Sequence, residues 1–222
     1  MSAATRDVTA IVVNYGTFRL TRNAIWSLHS LYPDLEILTI ENGSPDDSAA
    51  RLRELEAEVE PLSVVISETN LHHGPGLDAG IRRIGTEWAL LFDSDSLAFR
   101  KGFLENMSAA ALDSGAYMVG QRLLVDDSGF VSDSGGPYIH PHCALINREQ
   151  YLSLAPFERH GAPCLRNARD AAARGLELVD FPVGDYVYHI GRGTVDLHGY
   201  QLGSRSKIDR LRAVVARTFR RS

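Results

Sequence analysis

Residues 88–95 read WALLFDSD, an apolar run that ends in two carboxylates one residue apart. The run from Trp88 to Phe92 is short and uncharged, which predicts a buried β-strand. Asp93 and Asp95 follow directly and so lie just past the carboxyl end of that strand. Open α/β sheets bind their ligands at this edge, and carboxylate oxygens suit Mg²⁺ and Mn²⁺. The stretch therefore predicts a metal site. The alternative is a polar turn in which Asp95 caps the next helix.

The segments before this stretch alternate between strand and helix patterns. Apolar β-branched runs predict strands, and apolar residues at helical spacing predict the helices between them. Such alternation is typical of βαβ units with right-handed crossovers. We therefore predict an α/β fold with a Rossmann-like, mostly parallel central sheet and helices on both faces. The predicted strands cover 8–14, 35–40, 62–67 and 88–92, and the predicted helices cover 17–31, 46–58 and a short segment ending near 84.

The second half of the chain has a less regular pattern. A polar loop is predicted at 126–136, and no linker, repeat or low-complexity segment interrupts the sequence. We therefore predict a single domain over 1–202, followed by a basic helix or tail at 203–222. The remaining predicted helices cover 102–112 and 163–174, and the remaining predicted strands cover 117–125, 138–146 and 176–181.

Charge is distributed unevenly along the 222 residues. Residues 203–222 carry seven basic and one acidic side chain, a net charge of +6, whereas the rest of the chain has a net charge of −11. An acidic body argues against nucleic-acid binding and gives the tail a local role. The tail has the pattern of a basic amphipathic helix, which could rest on an anionic membrane or pack on the domain. Its regularly spaced apolar residues are Ile208, Leu211, Val215 and Phe219.

The lack of a targeting signal in this sequence and its cysteine usage predict a cytoplasmic protein. No apolar run reaches the ~18 residues that a membrane span needs, and the N-terminus lacks the basic and apolar blocks of a signal peptide. Cys143 and Cys164 do not make a disulfide framework, which fits a reducing compartment, and we expect both to be buried hydrophobes. A peripheral position at the inner face of the membrane would follow if the tail binds lipid.

His189 is the third candidate metal ligand. It ends the run 186–189 and precedes IGRGT at 190–194. The glycines would let the backbone approach a phosphate closely, and Arg192 could pair with that phosphate. The alternative is a structural histidine, which is the commoner role of a single His.

Four motifs in this order resemble those of family 2 glycosyltransferases with the GT-A fold. VTAIVVNY at 8–15 resembles the first strand of that family, and IENGS at 40–44 resembles its acidic-Asn-Gly-Ser signature. NLHHGPGLDAG at 70–80 is similar to its Asn-x-x-x-Gly-x-x-x-Asn-x-Gly stretch, and LFDSD at 91–95 matches its DXD motif. The resemblance implies a hexosyltransferase that moves a sugar from a nucleotide diphosphate donor, with UDP favoured, to an acceptor hydroxyl.

The same resemblance implies a role for each matching residue. Residues 1–100 would form the nucleotide-sugar half and 101–202 the acceptor half, and a divalent cation, Mn²⁺ or Mg²⁺, would join the donor to the protein. The local alternatives are a strand-end cap for Asn14, a turn for Glu41 and a loop hydrogen bond for Asn70. On the nucleoside side, the resemblance implies that Asn14 and Tyr15 line the base and ribose pocket, that Glu41 accepts a hydrogen bond from the nucleobase or ribose, and that Asn70 lies near the nucleoside. Asp78 stands where the family often has Asn. On the metal side, Asp93 lies near the ribose and the metal, and Asp95 and His189 bind the metal.

One departure concerns the general base. Inverting members of the resembled family carry a Glu-Asp pair at the start of the acceptor-side helix, whereas here that start reads GAPC at 161–164. Glu158, His160 and Asp133 are the nearest substitutes by sequence, with surface or loop roles as the alternative. The choice between inversion and retention is therefore open, and the acceptor could be a sugar, a lipid-linked or a small molecule. His140 and His142 flank Pro141, so strand alternation would place both on one face, where they could line the acceptor pocket or a second metal site.

Two other functions are consistent with parts of the sequence. The missing Glu-Asp pair also fits a nucleotide-sugar-binding protein without catalysis. FDSDSL at 92–97 superficially resembles the FDxDGT(L) nucleophile motif of haloacid dehalogenase phosphatases. That motif belongs at the end of a first strand and includes a Gly-Thr pair that is absent here.

Overall fold

The computed structural model describes residues 6–158 and 162–191 of the chain. Seven strands form one central sheet in the order β3-β2-β1-β4-β7-β6-β8, and the pair β5 and β9 forms a separate two-stranded ribbon. The strands are β1 (Val8–Asn14), β2 (Glu36–Glu41), β3 (Leu62–Ile66), β4 (Trp88–Phe92), β5 (Ser96–Ala98), β6 (Met118–Val125), β7 (Gly136–Asn147), β8 (Leu178–Asp180) and β9 (Val187–His189).

The central sheet is mostly parallel, as predicted. Strand β7 runs antiparallel to its neighbours β4 and β6, and every other neighbouring pair in the sheet is parallel. Because β1 to β4 run the same way, their carboxyl ends meet at one edge. The helices are α1 (Phe18–Leu31), α2 (Ser48–Glu58), α3 (His73–Arg83), α4 (Phe103–Ser114), α5 (Arg148–Leu152) and α6 (Leu165–Ala173).

Helices cover both faces of the sheet because its inner strands are apolar on both sides. In β1, Ala10 and Val12 pack into the core formed with α1, α2 and α4. The alternate residues Ile11 and Val13 pack into the opposite core with α3, α5 and α6. Gly80 lets α3 approach β1 closely, since a Cβ atom there would lie 2.6 Å from the Ile11 side chain. This contact holds α3 close against β1.

Three short elements, β5, β9 and α5, were absent from the sequence prediction. Strands β5 and β9 have three residues each and pair with one another, so neither carries a periodic pattern long enough to identify. The five-residue helix α5 is also short, although the Asn147 side chain accepts a hydrogen bond from the Gln150 backbone at its start. The predicted segments with longer apolar patterns all exist, with ends that match or are shifted by at most two residues.

The sequence predictions also concerned the two cysteines, His160, Arg192 and the basic tail. Cys143 and Cys164 are free thiols and both are buried, as predicted. His160, Arg192 and the tail 203–222 lie outside the described residues. None of the described helices combines the length and the apolar composition needed to cross a bilayer.

Candidate functional site

The carboxyl end of β4 brings together the three residues predicted to bind a metal. Asp93 and Asp95 follow β4, and the ribbon of β5 and β9 brings His189 beside them by pairing it with Ser96. The Nε2 atom of His189 lies 3.1 Å from Oδ1 of Asp95 and 3.7 Å from Oδ2 of Asp93. The ligand atoms of all three side chains lie within 4.8 Å of one another. We call Asp93, Asp95 and His189 the metal triad.

The donor atoms of the metal triad fit a divalent cation such as Mn²⁺ or Mg²⁺. Two carboxylates supply hard oxygens and the imidazole supplies one nitrogen, which leaves coordination positions for phosphate oxygens. Oδ1 of Asp93 is buried and has no well-aligned hydrogen-bond donor among the described residues. Nε2 of His73 lies 3.3 Å from it, and this nearby imidazole can compensate its burial. A residue just past a strand end at a sheet edge is expected to be exposed, but Asp95 is only 8% exposed because the ribbon of β5 and β9 lies beside it.

Charges within the site shift the pKa values of its members in opposite directions. Burial by itself raises the pKa of Asp93, but His73 and, further away, His189 outweigh burial and hold it well below its usual range. Burial lowers the pKa of His189, but the hydrogen bond to Asp95 and the charge of Asp93 raise it above its ordinary value.

His140 and His142 extend this cluster from β7. Their Nδ1 atoms lie 2.7 Å apart, which confirms that both side chains lie on one face of the strand. The His142 ring stacks on the His189 ring, with centroids 4.6 Å apart and planes inclined by 21°. Burial and the neighbouring histidines lower the pKa of His142 to about 4, and burial also lowers that of His140. Among the described residues the pair belongs to no second group of three ligands, so an acceptor role for it stays a prediction.

Asn14 and Glu41 end the neighbouring strands β1 and β2, and both are fully buried. The Asn14 amide donates a hydrogen bond to Glu41 Oε2, and its oxygen accepts one from the Thr21 hydroxyl at 2.6 Å. Oε1 of Glu41 accepts the backbone N–H of Ser44 at 2.6 Å. The pair therefore braces the strand ends and the turn after β2. The contacts with a nucleobase or ribose that the resemblance implies stay a prediction.

Asn70 lies in the loop that follows β3. Its side-chain oxygen accepts a hydrogen bond from Asn42 Nδ2 at 3.1 Å and another from the backbone N–H of His72 at 2.7 Å. Asn42 Nδ2 also donates to the carbonyl of His72 at 3.2 Å. These bonds join the turn after β2 to the loop before α3, so that both lie along the edge that carries the metal triad.

Asp78 and Tyr15 occupy different environments. The Asp78 carboxylate accepts hydrogen bonds from the Tyr151 hydroxyl at 2.6 Å and from Arg82 Nε at 2.9 Å. Asp78 therefore joins α3 to α5. Its role in donor binding stays a prediction. Tyr15 is half-buried directly after β1, at the edge of the sheet where we expect the base and ribose.

The candidate bases that the structure describes do not contact the metal triad. Glu158 forms an ion pair with Arg166 at 2.8 Å, and Asp133 is exposed in the loop before β7. Neither residue makes a hydrogen bond or an ion pair with the triad. Helix α6 begins with Cys164 in the N-cap position and has no acidic residue in its first turn, as its sequence indicated. A basic role for Glu158 or Asp133 remains a prediction.

The sequence analysis did not identify His73 as a site residue. His73 is the first residue of α3, and its Nε2 atom lies 3.3 Å from Oδ1 of Asp93. Burial lowers its pKa, but the charges of Asp93 and Asp95 outweigh burial and raise it. The available signal was topological, because the start of a helix that follows a parallel strand faces the carboxyl edge where β4 also ends.

Comparisons with solved structures identify the fold. The mannosyltransferase PcManGT from Pyrobaculum calidifontis, in complex with GDP-Man and Mn²⁺, matches with a TM-score of 0.63 and 21% identity over 79% of this chain and 55% of its own. Residues 1–349 of S. aureus TarS, in complex with UDP-GlcNAc, match with a TM-score of 0.63 and 14% identity over 82% of this chain and 58% of that one. The chain thus spans less than two thirds of these structures. A comparison with curated proteins found no match.

A comparison with protein families gives the assignment. Residues 9–167 match the profile described as Glycosyl transferase family 2, which covers more than half of the chain. The match includes the strand β1, the turn after β2, the loop before α3 and the Asp93-Ser94-Asp95 motif, in agreement with the resemblance of the four motifs. The chain therefore belongs to glycosyl transferase family 2 and has the GT-A fold of its structural neighbours.

Proposed function

We propose that this protein transfers a hexosyl group from a nucleoside diphosphate sugar to an acceptor hydroxyl and depends on a divalent cation. The convergence of Asp93, Asp95 and His189 at the carboxyl edge of the sheet carries the proposal. A cation bound there would supply positive charge to the diphosphate that leaves the sugar. Family membership supports the same conclusion, and it leaves little support for the phosphatase alternative because three parallel strands precede β4.

The described residues would divide the work of donor binding. Asp93, Asp95 and His189 would hold the cation, and the braced strand ends at Asn14 and Glu41 would keep the edge in shape for the nucleoside. The paired loops at Asn42 and Asn70 would border the donor. Arg192 would pair with the diphosphate, and Tyr15 would line the base pocket.

We favour UDP as the nucleotide and Mn²⁺ as the cation. S. aureus TarS was solved with UDP-GlcNAc and with UDP, which supports a uridine donor, whereas the GDP-Man complex of PcManGT keeps guanosine as the alternative. The imidazole of His189 favours Mn²⁺ over Mg²⁺, and PcManGT was solved with Mn²⁺.

The acceptor and its location are further parts of the proposal. The tail at 203–222 has a net charge of +6, so it could hold the protein at the inner face of an anionic membrane beside a lipid-linked acceptor. A small sugar acceptor in the cytoplasm is the alternative. Glu158, His160 and Asp133 stay the candidate bases of this reaction.

A thermal-shift panel of UDP, GDP and dTDP, each with and without Mn²⁺, tests the proposal. At a concentration of about 100 Kd, the matching nucleotide should raise the melting temperature by about 5–10 °C, because ligand binding to the native state stabilises it by ~2.7 kcal/mol. The rise should require Mn²⁺. The matching nucleoside monophosphate is the control, since it lacks the diphosphate that the cation would bridge. No shift with any diphosphate plus Mn²⁺ would contradict donor binding.

A nucleotide-sugar-binding protein without catalysis is the second candidate. It is favoured by the start of α6, where Cys164 is buried and no carboxylate is available as a base. Hydrolysis of the matching nucleotide sugar in the presence of Mn²⁺ separates the two candidates. A protein that binds the donor and never hydrolyses or transfers its sugar would support the second.

A further inference from the structure

We propose that His73 and His142, which lie outside the metal triad, are positioning residues that hold Asp93 and His189 in the arrangement a divalent cation needs. We call this pair the histidine clamp. The proposal rests on the metal-dependent function above, because the cation that the clamp serves is the one the donor requires. The clamp should raise the affinity of the metal triad for the cation.

His73 controls the carboxylate of Asp93. Its Nε2 atom lies 3.3 Å from Oδ1, whereas the other oxygen, Oδ2, lies 3.7 Å from Nε2 of His189. The two carboxylate oxygens therefore have different neighbours. The terminal torsion of an Asp side chain is broad, so a contact on one oxygen determines where the other oxygen points. His73 therefore leaves Oδ2 of Asp93 directed toward His189, the other side of the proposed cation site.

The fold keeps His73 in place. It begins α3, which packs against β1 at Gly80. The preceding residue, His72, has φ of +70°, a backbone conformation that side chains rarely adopt, and Asn42 and Asn70 bind its carbonyl and its N–H. The start of the helix is thus fixed from both sides, which places the imidazole of His73 beside Asp93.

His142 controls the other end of the metal triad. Its carbonyl accepts hydrogen bonds from the Asp93 backbone N–H at 3.0 Å and from the Ser96 hydroxyl at 3.1 Å. Its ring is nearly parallel to that of His189, with centroids 4.6 Å apart. Since β9 has only three residues, its own pairing gives His189 little restraint, and the stacked ring of a buried residue on β7 supplies the restraint.

Residues that orient metal ligands without touching the ion typically change metal affinity by 10- to 100-fold when they are removed. We therefore expect His73→Leu and His142→Leu each to weaken Mn²⁺ binding by about 10- to 100-fold. His73→Gln keeps an N–H group that can reach Asp93, and His142→Phe keeps a ring that can stack on His189. Both conservative variants should bind Mn²⁺ nearly as well as the native protein.

The experiment is a titration of the full chain with Mn²⁺, followed by electron paramagnetic resonance of the unbound ion, with and without UDP. Thermal unfolding of each variant shows that it is folded. His72→Asn is the matched control, because it removes a neighbouring exposed imidazole from the same turn and keeps a side chain that tolerates a positive φ. Asp95→Asn is the reference for loss of a ligand of the triad.

Each outcome distinguishes the clamp from the function on which it rests. Unchanged Mn²⁺ affinity in folded His73→Leu and His142→Leu would overturn the clamp and leave the metal site intact. Equal losses in His73→Gln and His73→Leu would overturn a positioning role for His73 and make it a metal ligand. Absence of Mn²⁺ binding in the native protein, also with UDP, would overturn the metal-dependent function itself.

Discussion

Asp95→Asn should lower Mn²⁺-dependent sugar transfer by about 10³-fold or more while leaving the protein folded. A cation that neutralises the leaving diphosphate contributes several kcal/mol, and each 1.36 kcal/mol corresponds to a tenfold change in rate. The amide keeps the shape of the carboxylate but lacks the charge that binds the cation. Asp95 is buried beside His189, and because the amide oxygen of Asn can still accept a hydrogen bond from Nε2 of His189, the variant should remain folded.

Initial rates of donor hydrolysis or transfer at several Mn²⁺ concentrations measure this effect. Asp113→Asn is the matched control, since Asp113 is an exposed carboxylate on α4 and is not part of the metal triad. The control should keep the native rate. If Asp95→Asn turns over as fast as the native protein at every Mn²⁺ concentration, the metal triad is not the catalytic metal site.

Gly43→Ala should destabilise the protein by about 2–5 kcal/mol and weaken donor binding. Gly43 has φ of +69°, where a side chain costs ~1–2 kcal/mol. Its Cβ atom would also lie 2.5 Å from the Thr69 carbonyl carbon and 2.8 Å from the Asn70 nitrogen, and overpacking typically adds 1–3 kcal/mol. Since the clash is with backbone, the loop that carries Asn70 has to move away from the turn after β2.

Gly115→Ala separates the two contributions. Gly115 has φ of +66° at the end of α4, but an added Cβ atom would meet nothing within 4 Å. This variant should therefore lose only the ~1–2 kcal/mol that the backbone conformation costs. Urea unfolding of both variants gives the two free energies of unfolding, and the nucleotide panel gives donor binding. Equal losses of stability in both variants would show that the contact with the loop at 69–70 is not tight.

The longer elements of the fold could be predicted because their patterns are local. Strands β4 and β1 were predicted with their observed ends, since β4 is a continuous apolar run and β1 is rich in β-branched residues, and the sheet buries both strands on both faces. The turn at Asn42-Gly43 was evident from its residue types, and the positive φ of Gly43 confirms it. The ribbon of β5 and β9 could not be predicted, because three-residue strands form only when a partner distant in sequence is already in place.

Among the site residues, too, those marked by a local pattern could be predicted, whereas contacts between distant parts of the chain could not. Asp93 and Asp95 were identifiable because two adjacent features, an apolar strand and a pair of carboxylates, occur at one point of the chain. Asn14 and Glu41 were expected at the same edge, and they lie there, but the structure also shows that they bind each other. No pattern in the sequence indicates that bond, because it joins the ends of two different strands.

The sequence by itself determined the family, the alternating α/β pattern and the position of Asp93 and Asp95 after a buried strand. These depend on residue types within a few positions of one another, where strand periodicity, turn propensity and motif spacing act. Only the tertiary structure decided that His189 meets Asp95 across 94 residues, that His73 faces Asp93, and that His142 stacks on His189. The physical reason is that these contacts depend on which strand ends and helix starts share one edge of the sheet, and that is set by the packing of the whole domain.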